Sequence, residues 1–421
     1  MPLTRRDFIR GGGTFLASGL ALPGLLSALA RLQGASSRNL VVLDLAGGND
    51  ALSMLVPYND PFYYSRRPTI AVPAAQVLQI GTDPGGKALG LHPRLTGLRS
   101  LFDQGHVAFI QRVGYENQSR SHFLGTDIWS TADPVSTSGA GWLGRYLDRL
   151  PQPLDPLTAW CTSTGVPHTL QTVSAPVSTI PSVSSYTYQS PNSGTEVGYE
   201  RTAATAVSLN PAPDRPHLAF VNETMRSVFS TIDRAAVVNG YAASMAYPSS
   251  SLGQALRIVA GGMAKGVGAR IFWVQTGGFD NHANQGVADS AGTYWGLMAT
   301  LNDALAAFAA DLQNQGLLND TLILQFSEFG RRINENGSRG TDHGAASVMM
   351  AIGGGVRGGF YGTAPSLNPD PQNPTLENAG ADVHYETDFR AVYARAVDQW
   401  LAADSVGLLG GDFRRGAPAF V

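Results

Sequence analysis

The sequence predicts an α/β fold, a mostly parallel sheet sandwiched by helices, with a targeting segment in front of it. Three observations predict this. Four short apolar runs, at residues 40–45, 107–113, 270–274 and 321–326, have the length of buried strands. The stretch between the last two repeats apolar residues with a helical period. Buried strands separated by helices make a largely parallel sheet covered on both faces. With 421 residues and 43% hydrophobic content, the chain has ample material for such a core.

In chain order, residues 4–10 read TRRDFIR and set Arg5 and Arg6 ahead of an apolar, Gly- and Leu-rich run over residues 11–29, with ALA at 28–30 as a small-residue cleavage site. This resembles a twin-arginine export signal. The expected division is a signal segment at 1–30 and a folded domain at 31–421, with the twin-arginine export machinery as a partner and a periplasmic or secreted destination. An N-terminal helix or a membrane anchor is the alternative, weakened by a run that is short and interrupted by glycine.

The first strand is LVVLDL, and it runs into Gly47 and Gly48 before Asp50. The second, VAFIQRV at 107–113, leads to ENQSRSHF at 116–123, which enters a helix through Trp129. The third, RIFWV, leads to GGFDNH at 277–282. The fourth, TLILQF, leads to SEFGRR at 327–332 and then GTDHG at 340–344. Between the third and fourth, Met298, Leu301, Leu305, Phe308 and Leu312 recur at three- and four-residue spacing, one helix face that Gly316 stops. Residues 151–214 are rich in Ser, Thr and Pro without a sustained period, and are expected to form an insertion or cap over the sheet edge. No internal repeat is visible.

Composition narrows the function classes. A formal net charge of -3, from 29 basic and 32 acidic residues with no basic block in the body of the chain, argues against nucleic acid. The single cysteine, Cys161, rules out an internal disulfide and a cysteine-built zinc site, and its expected role is packing.

Ligands of parallel sheets sit beyond the carboxyl ends of the strands, and the polar residues collect there: Asp50, Ser119, Ser121, His122, Asp280, His282, Glu328, Asp342 and His343. Each has a bland reading alone. An Asp after a strand caps a turn, Ser119 and Ser121 suit a helix N-cap, a lone histidine is more often satisfied than ligating, and Arg331 and Arg332 pair with Glu328 or face solvent. Convergence weighs against the bland readings, because carboxylates and imidazoles at one sheet edge suit a divalent metal. A serine at a helix N-terminus nearby sits in a field that favours an anion.

The ordered set GGND with LVPY at 55–58, LHP at 91–93, SRSHF, FDNH, SEFGRR and GTDHG resembles the bacterial family catalogued as domain of unknown function 1501, from about residue 38 to the C-terminus. The resemblance implies an alkaline-phosphatase-like core, shared with sulfatases and phosphodiesterases. It implies a metal-binding Asp after the first strand, which fits Asp50 better than Asp44 inside the strand. It implies a helix-start nucleophile, fitting Ser121 with Ser119 as the alternative. Asp280, His282 and His343 then bind one metal, and Glu328 takes the carboxylate role of the SDHG motif. Phe329 stands where that motif has a ligating histidine, which leaves the second site oxygen ligands suited to Mg, Mn or Ca, while the imidazole site suits Zn or Mn.

The chemistry implied is hydrolysis of a phosphate or sulfate ester on a small molecule or polysaccharide, with one or two divalent ions. Ser121 attacks, Arg120 or Arg331 balances charge on the equatorial oxygens, and His122 or His343 passes a proton to the leaving group. The alternative is a non-catalytic exported surface or carbohydrate-binding protein on the same core.

Overall fold

The computed structural model describes residues 38–421; the targeting segment expected at 1–30 lies outside the described residues. Nine strands build the main sheet: β1 (Asn39–Leu45), β2 (Val107–Gly114), β3 (Ala159–Cys161), β4 (Ser178–Thr179), β5 (Ile271–Thr276), β6 (Thr321–Phe326), β7 (Ser347–Ile352), β8 (Gly359–Tyr361) and β9 (Thr387–Asp388). Their order is β8-β2-β7-β6-β1-β5-β3-β4, with β9 also paired to β2. Among these, β7 alone is antiparallel to its neighbours β2 and β6; the other recorded pairings are parallel. The architecture is therefore the expected mostly parallel sheet with helices.

Helices α1 (Thr96–Asp103), α2 (His122–Thr131), α3 (Trp142–Asp148), α4 (Thr195–Ser208), α5 (Pro216–Ala236), α6 (Ser251–Ala264), α7 (Thr293–Asn314) and α8 (Phe389–Arg395) complete the frame. Strand alternation divides the core. Val41, Leu43 and Leu45 of β1 join a cluster with α1, α6 and α7, while Leu40 and Val42 join another with α2, α3 and α8. The α7 face is as its spacing predicts: Met298, Leu301, Leu305, Phe308 and Leu312 are all buried. Each such side chain contributes roughly 1.5–3 kcal/mol by leaving water.

Two elements differ from expectation. The stretch 151–214 supplies β3 and β4 at one sheet edge before turning into α4, so its first half extends the sheet rather than capping it. Strands of three and two residues are too short to carry a period. Cys161 is buried within β3, the packing role expected of it. The second difference is β7, a six-residue apolar run that reverses direction after β6. Because it is antiparallel, the loop before it, which carries His343, lies at the edge where the parallel strands end.

Candidate metal centre

Two glycines let the loops approach one another. Gly47, at φ 120°, places its α-carbon so close to the next loop that an added Cβ would sit 2.6 Å from the backbone nitrogen of Asp280. At Gly48, φ 72°, a Cβ would meet the Phe329 ring at 2.3 Å. Only glycine fits both the conformation and the space. Across this gap Arg331, buried, ties the strand-end loops together: Nε donates to the Gly48 carbonyl at 2.7 Å, Nη1 to Thr341 at 2.8 Å, and Nη2 to the Gly47 and Phe279 carbonyls and to Asp280 Oδ1 at 2.6 Å. Arg331 and His343 also form an isolated antiparallel bridge.

On that frame three histidines converge. His122, the first residue of α2, lies 3.3 Å through Nε2 from Asp280 Oδ2. His343 Nε2 is 3.1 Å from Asp280 Oδ1 and 3.0 Å from His282 Nε2, which itself lies 2.9 Å from Asp280 Oδ1. Ligand atoms of His122, Asp280 and His343 fall within 4.8 Å of one another. Each ring is held from behind by an oxygen: His122 Nδ1 donates to Glu328 at 2.7 Å, His343 Nδ1 to the Arg120 carbonyl at 2.7 Å, and His282 Nδ1 to Asp342 at 3.3 Å.

With Nδ1 carrying the proton, Nε2 of His122 and of His343 turns a lone pair toward the Asp280 carboxylate, and His282 Nε2 lies beside them. Imidazole nitrogens around a carboxylate make a group able to hold a divalent ion, and rings oriented through Nδ1–H to oxygen are the usual outer support of a metal site. The donor set fits Zn or a similar divalent ion. Burial acts to raise the Asp280 carboxyl, but the Arg331 hydrogen bond and charge, with His343 and His282 beside it, outweigh it and hold it well below the usual carboxylate range. Asp280 thus stays an anionic ligand across the physiological range, and at 46% exposure it leaves the centre open to solvent.

The other expected site residues take different positions. Glu328, a ligand candidate in the sequence, accepts from the Gly47 amide at 2.9 Å and from Ser327 at 3.1 Å as well as from His122, and so stands behind that imidazole. Asp342 likewise stands behind His282, anchored by Asn336 at 2.9 Å. Phe329 is buried against the rings of His122 and His343, with centroids 4.9 and 4.7 Å away, and forms an apolar floor.

Asp50 is not with the imidazoles. It is buried, accepting Arg67 Nη1 at 2.7 Å, Ser53 Oγ at 2.6 Å and Gln285 Nε2 at 2.7 Å. Burial opposes its charge, but Arg67 and these hydrogen bonds keep its carboxyl below the usual range. Gln285 passes the connection to Thr341 at 2.9 Å, so Asp50 supports the His343 loop from a distance.

Arg120 turns its guanidinium to Asp382 and to Glu377, the latter at 2.9 Å, and gives the site its carbonyl alone. Neither Arg120 nor Arg331 has the free guanidinium expected for charge balance. Ser121 is the N-cap of α2, exposed and with no side-chain capping bond, one residue before His122; its amide donates to Ser119 Oγ at 3.2 Å. Arg67 was missed in sequence. Its signal, an arginine pair at 66–67 after a Pro-started helix, is too common to notice alone.

The chain belongs to the family described as Protein of unknown function (DUF1501), whose model matches residues 113–401. No curated protein matches the sequence. Among solved structures it is similar to the PsFucS1 sulfatase from Pseudoalteromonas sp., at 12% identity over 92% of this chain and 70% of that one, TM-score 0.36. It is also similar to the alkaline phosphatase of the Antarctic bacterium TAB5, at 10% identity over 75% and 92%, TM-score 0.28. A third likeness is to the C-terminal periplasmic domain of EcEptC from Escherichia coli in complex with Zn, at 10% identity over 75% and 73%, TM-score 0.28.

Proposed function

We infer that the protein is an exported, metal-dependent hydrolase of phosphate or sulfate esters, with His122, Asp280, His282 and His343 holding one divalent ion. The observation that carries this reading is the set of three imidazoles whose Nδ1 atoms are spent on oxygen acceptors and whose Nε2 atoms turn toward the Asp280 carboxylate. A divalent ion in that position supplies a Lewis acid beside the ester oxygens.

Ser121 is the nucleophile in this reading. Its hydroxyl is uncommitted, it is open to solvent, and it heads a ten-residue helix whose N-terminal dipole favours negative charge at that oxygen. The histidines hold position rather than carry protons, since both nitrogens of each are engaged. One ion rather than two follows from Asp50, which is neutralised by Arg67. Small-molecule and polysaccharide esters both have access, because the cluster lies open at the surface. Among the described residues no helix is long and apolar enough to cross a membrane; export rests on the Arg5-Arg6 signal.

The test is metal analysis of the matured protein together with hydrolysis of aryl phosphate and aryl sulfate esters. The expected result is one ion per chain, turnover by wild type, and loss of turnover with retained metal in Ser121→Ala. A second reading, a non-catalytic exported binding protein on the same core, is favoured by Arg331, whose contact with Asp280 already offsets the ligand's charge. Failure of wild type on the full panel with Mg, Mn, Ca or Zn supplied would select that second reading.

A further inference from the structure

Beneath α2, on the second face of the sheet, lies a cleft of about 260 Å³. Strand register sets its floor: Asp44 of β1 is flanked by Gln275 of β5 and Phe326 of β6, with Trp273 two residues before Gln275. Its roof is one stripe of α2. Thr126 and Ser130 follow His122 at four-residue steps, so the cleft begins about one turn, ~6 Å along the axis, from the imidazole cluster.

Asp44 is the unusual member. It is a carboxyl 3% exposed inside an apolar strand, with no lysine or arginine among the residues that line the cleft. Oδ2 accepts from Gln275 Nε2 at 2.7 Å. Asp44 Oδ1, the Oε1 of solvent-exposed Gln275 and the Thr126 hydroxyl make no hydrogen bond to another described residue, and Ser130 Oγ, which accepts from Thr169 at 3.1 Å, has its own proton to give. The rim is fixed by His168, whose two nitrogens are engaged by Asp127 at 2.8 Å and by the Gly139 carbonyl at 2.9 Å.

Unspent donors and acceptors beside indole and phenyl surfaces match the alternating hydroxyls and C–H faces of a sugar ring. No lysine or arginine lines the cleft, the His168 ring is spent on Asp127 and Gly139, and Asp44 and the nearby Glu328 disfavour phosphate and sulfate. We propose that this cleft is a second binding site, separate from the imidazole cluster, and that it takes a neutral sugar residue. Burial and then the Glu328 charge push Asp44 up to about 7, against the Gln275 hydrogen bond, so its carboxyl can donate as well as accept.

The proposal stands whether or not the imidazole cluster turns over an ester, and binding alone tests it. Saturation-transfer NMR on the full chain would use methyl glycosides of glucose, galactose, mannose and fucose, with ethanolamine as a cationic competitor. At least one glycoside should give a saturable signal, which Gln275→Ala weakens about tenfold, the scale of one lost hydrogen-bond partner. Gly165 lines the cleft at a point where an added Cβ meets no atom within 4 Å. Gly165→Phe should therefore abolish the signal while thermal midpoint and metal content stay unchanged. The proposal is overturned if no glycoside saturates, if Gly165→Phe binds like wild type, or if ethanolamine displaces the sugar at equal concentration.

Discussion

Nε2 of His282 and Nε2 of His343 lie 3.0 Å apart, with the Nδ1 atom of each ring already donating to an oxygen. At that distance either one Nε2 carries a proton and donates to the other, or a cation lies between two lone pairs. In the metal-bound reading proposed above, the supporting oxygens are as testable as the ligands.

His343→Ala should remove stoichiometric metal, since it deletes a ligand. Glu328→Gln should leave a bound ion but weaken it about 10- to 100-fold, the usual effect of losing the acceptor behind a ligating histidine. Competition with a chromogenic chelator measures both. Equal loss in the two variants would make Glu328 a ligand after all.

Asp50 and Arg67 form a buried ion pair at 2.7 Å. Asp50→Ala leaves the guanidinium uncompensated and should cost about 3–5 kcal/mol in urea unfolding. Metal bound per folded molecule should hold near the wild-type value. A variant of normal stability that has lost its metal would return Asp50 to the ligand set.

Asp44 carries a pH signature. Its carboxyl, at about 7 in the fold against 3.8 in the unfolded chain, keeps a proton that the unfolded state has released. Stability therefore falls as pH rises across that window. Asp44→Asn avoids the loss, so it should gain up to about 4 kcal/mol at pH 8, from about 1.4 kcal/mol per pH unit, and nothing at pH 4. Unfolding at both pH values decides this, and a gain of the same size at each would contradict it.

In the export reading the paired guanidinium groups are the address, so replacing Arg5 and Arg6 by Lys should hold the protein in the cytoplasm. Cell fractionation gives the answer, and unaltered export would assign those residues another role.

The central strands were legible as continuous apolar runs, and α7 as a three-four spacing, because burial on both faces leaves a strong mark in sequence. β7 was not legible, since SVMMAI resembles any short apolar run. The site was half legible. Gly47-Gly48-Asn49-Asp50 and Gly277-Gly278-Phe279-Asp280 share one pattern, yet Asp280 meets imidazoles and Asp50 meets Arg67. What separates them is a partner far along the chain and the direction each side chain takes, neither of which local pattern encodes. Nor does it encode that Glu328 reaches His122 Nδ1, 206 residues away in the chain.

The reversal of β7 returns the chain to the edge where the parallel strands finish, and so places His343 beside residues that emerge from the far side of the sheet. No nascent fragment ending before that turn contains the complete ligand set. In the metal-bound reading, the full set of ligands therefore exists only once the chain has been made as far as residue 343.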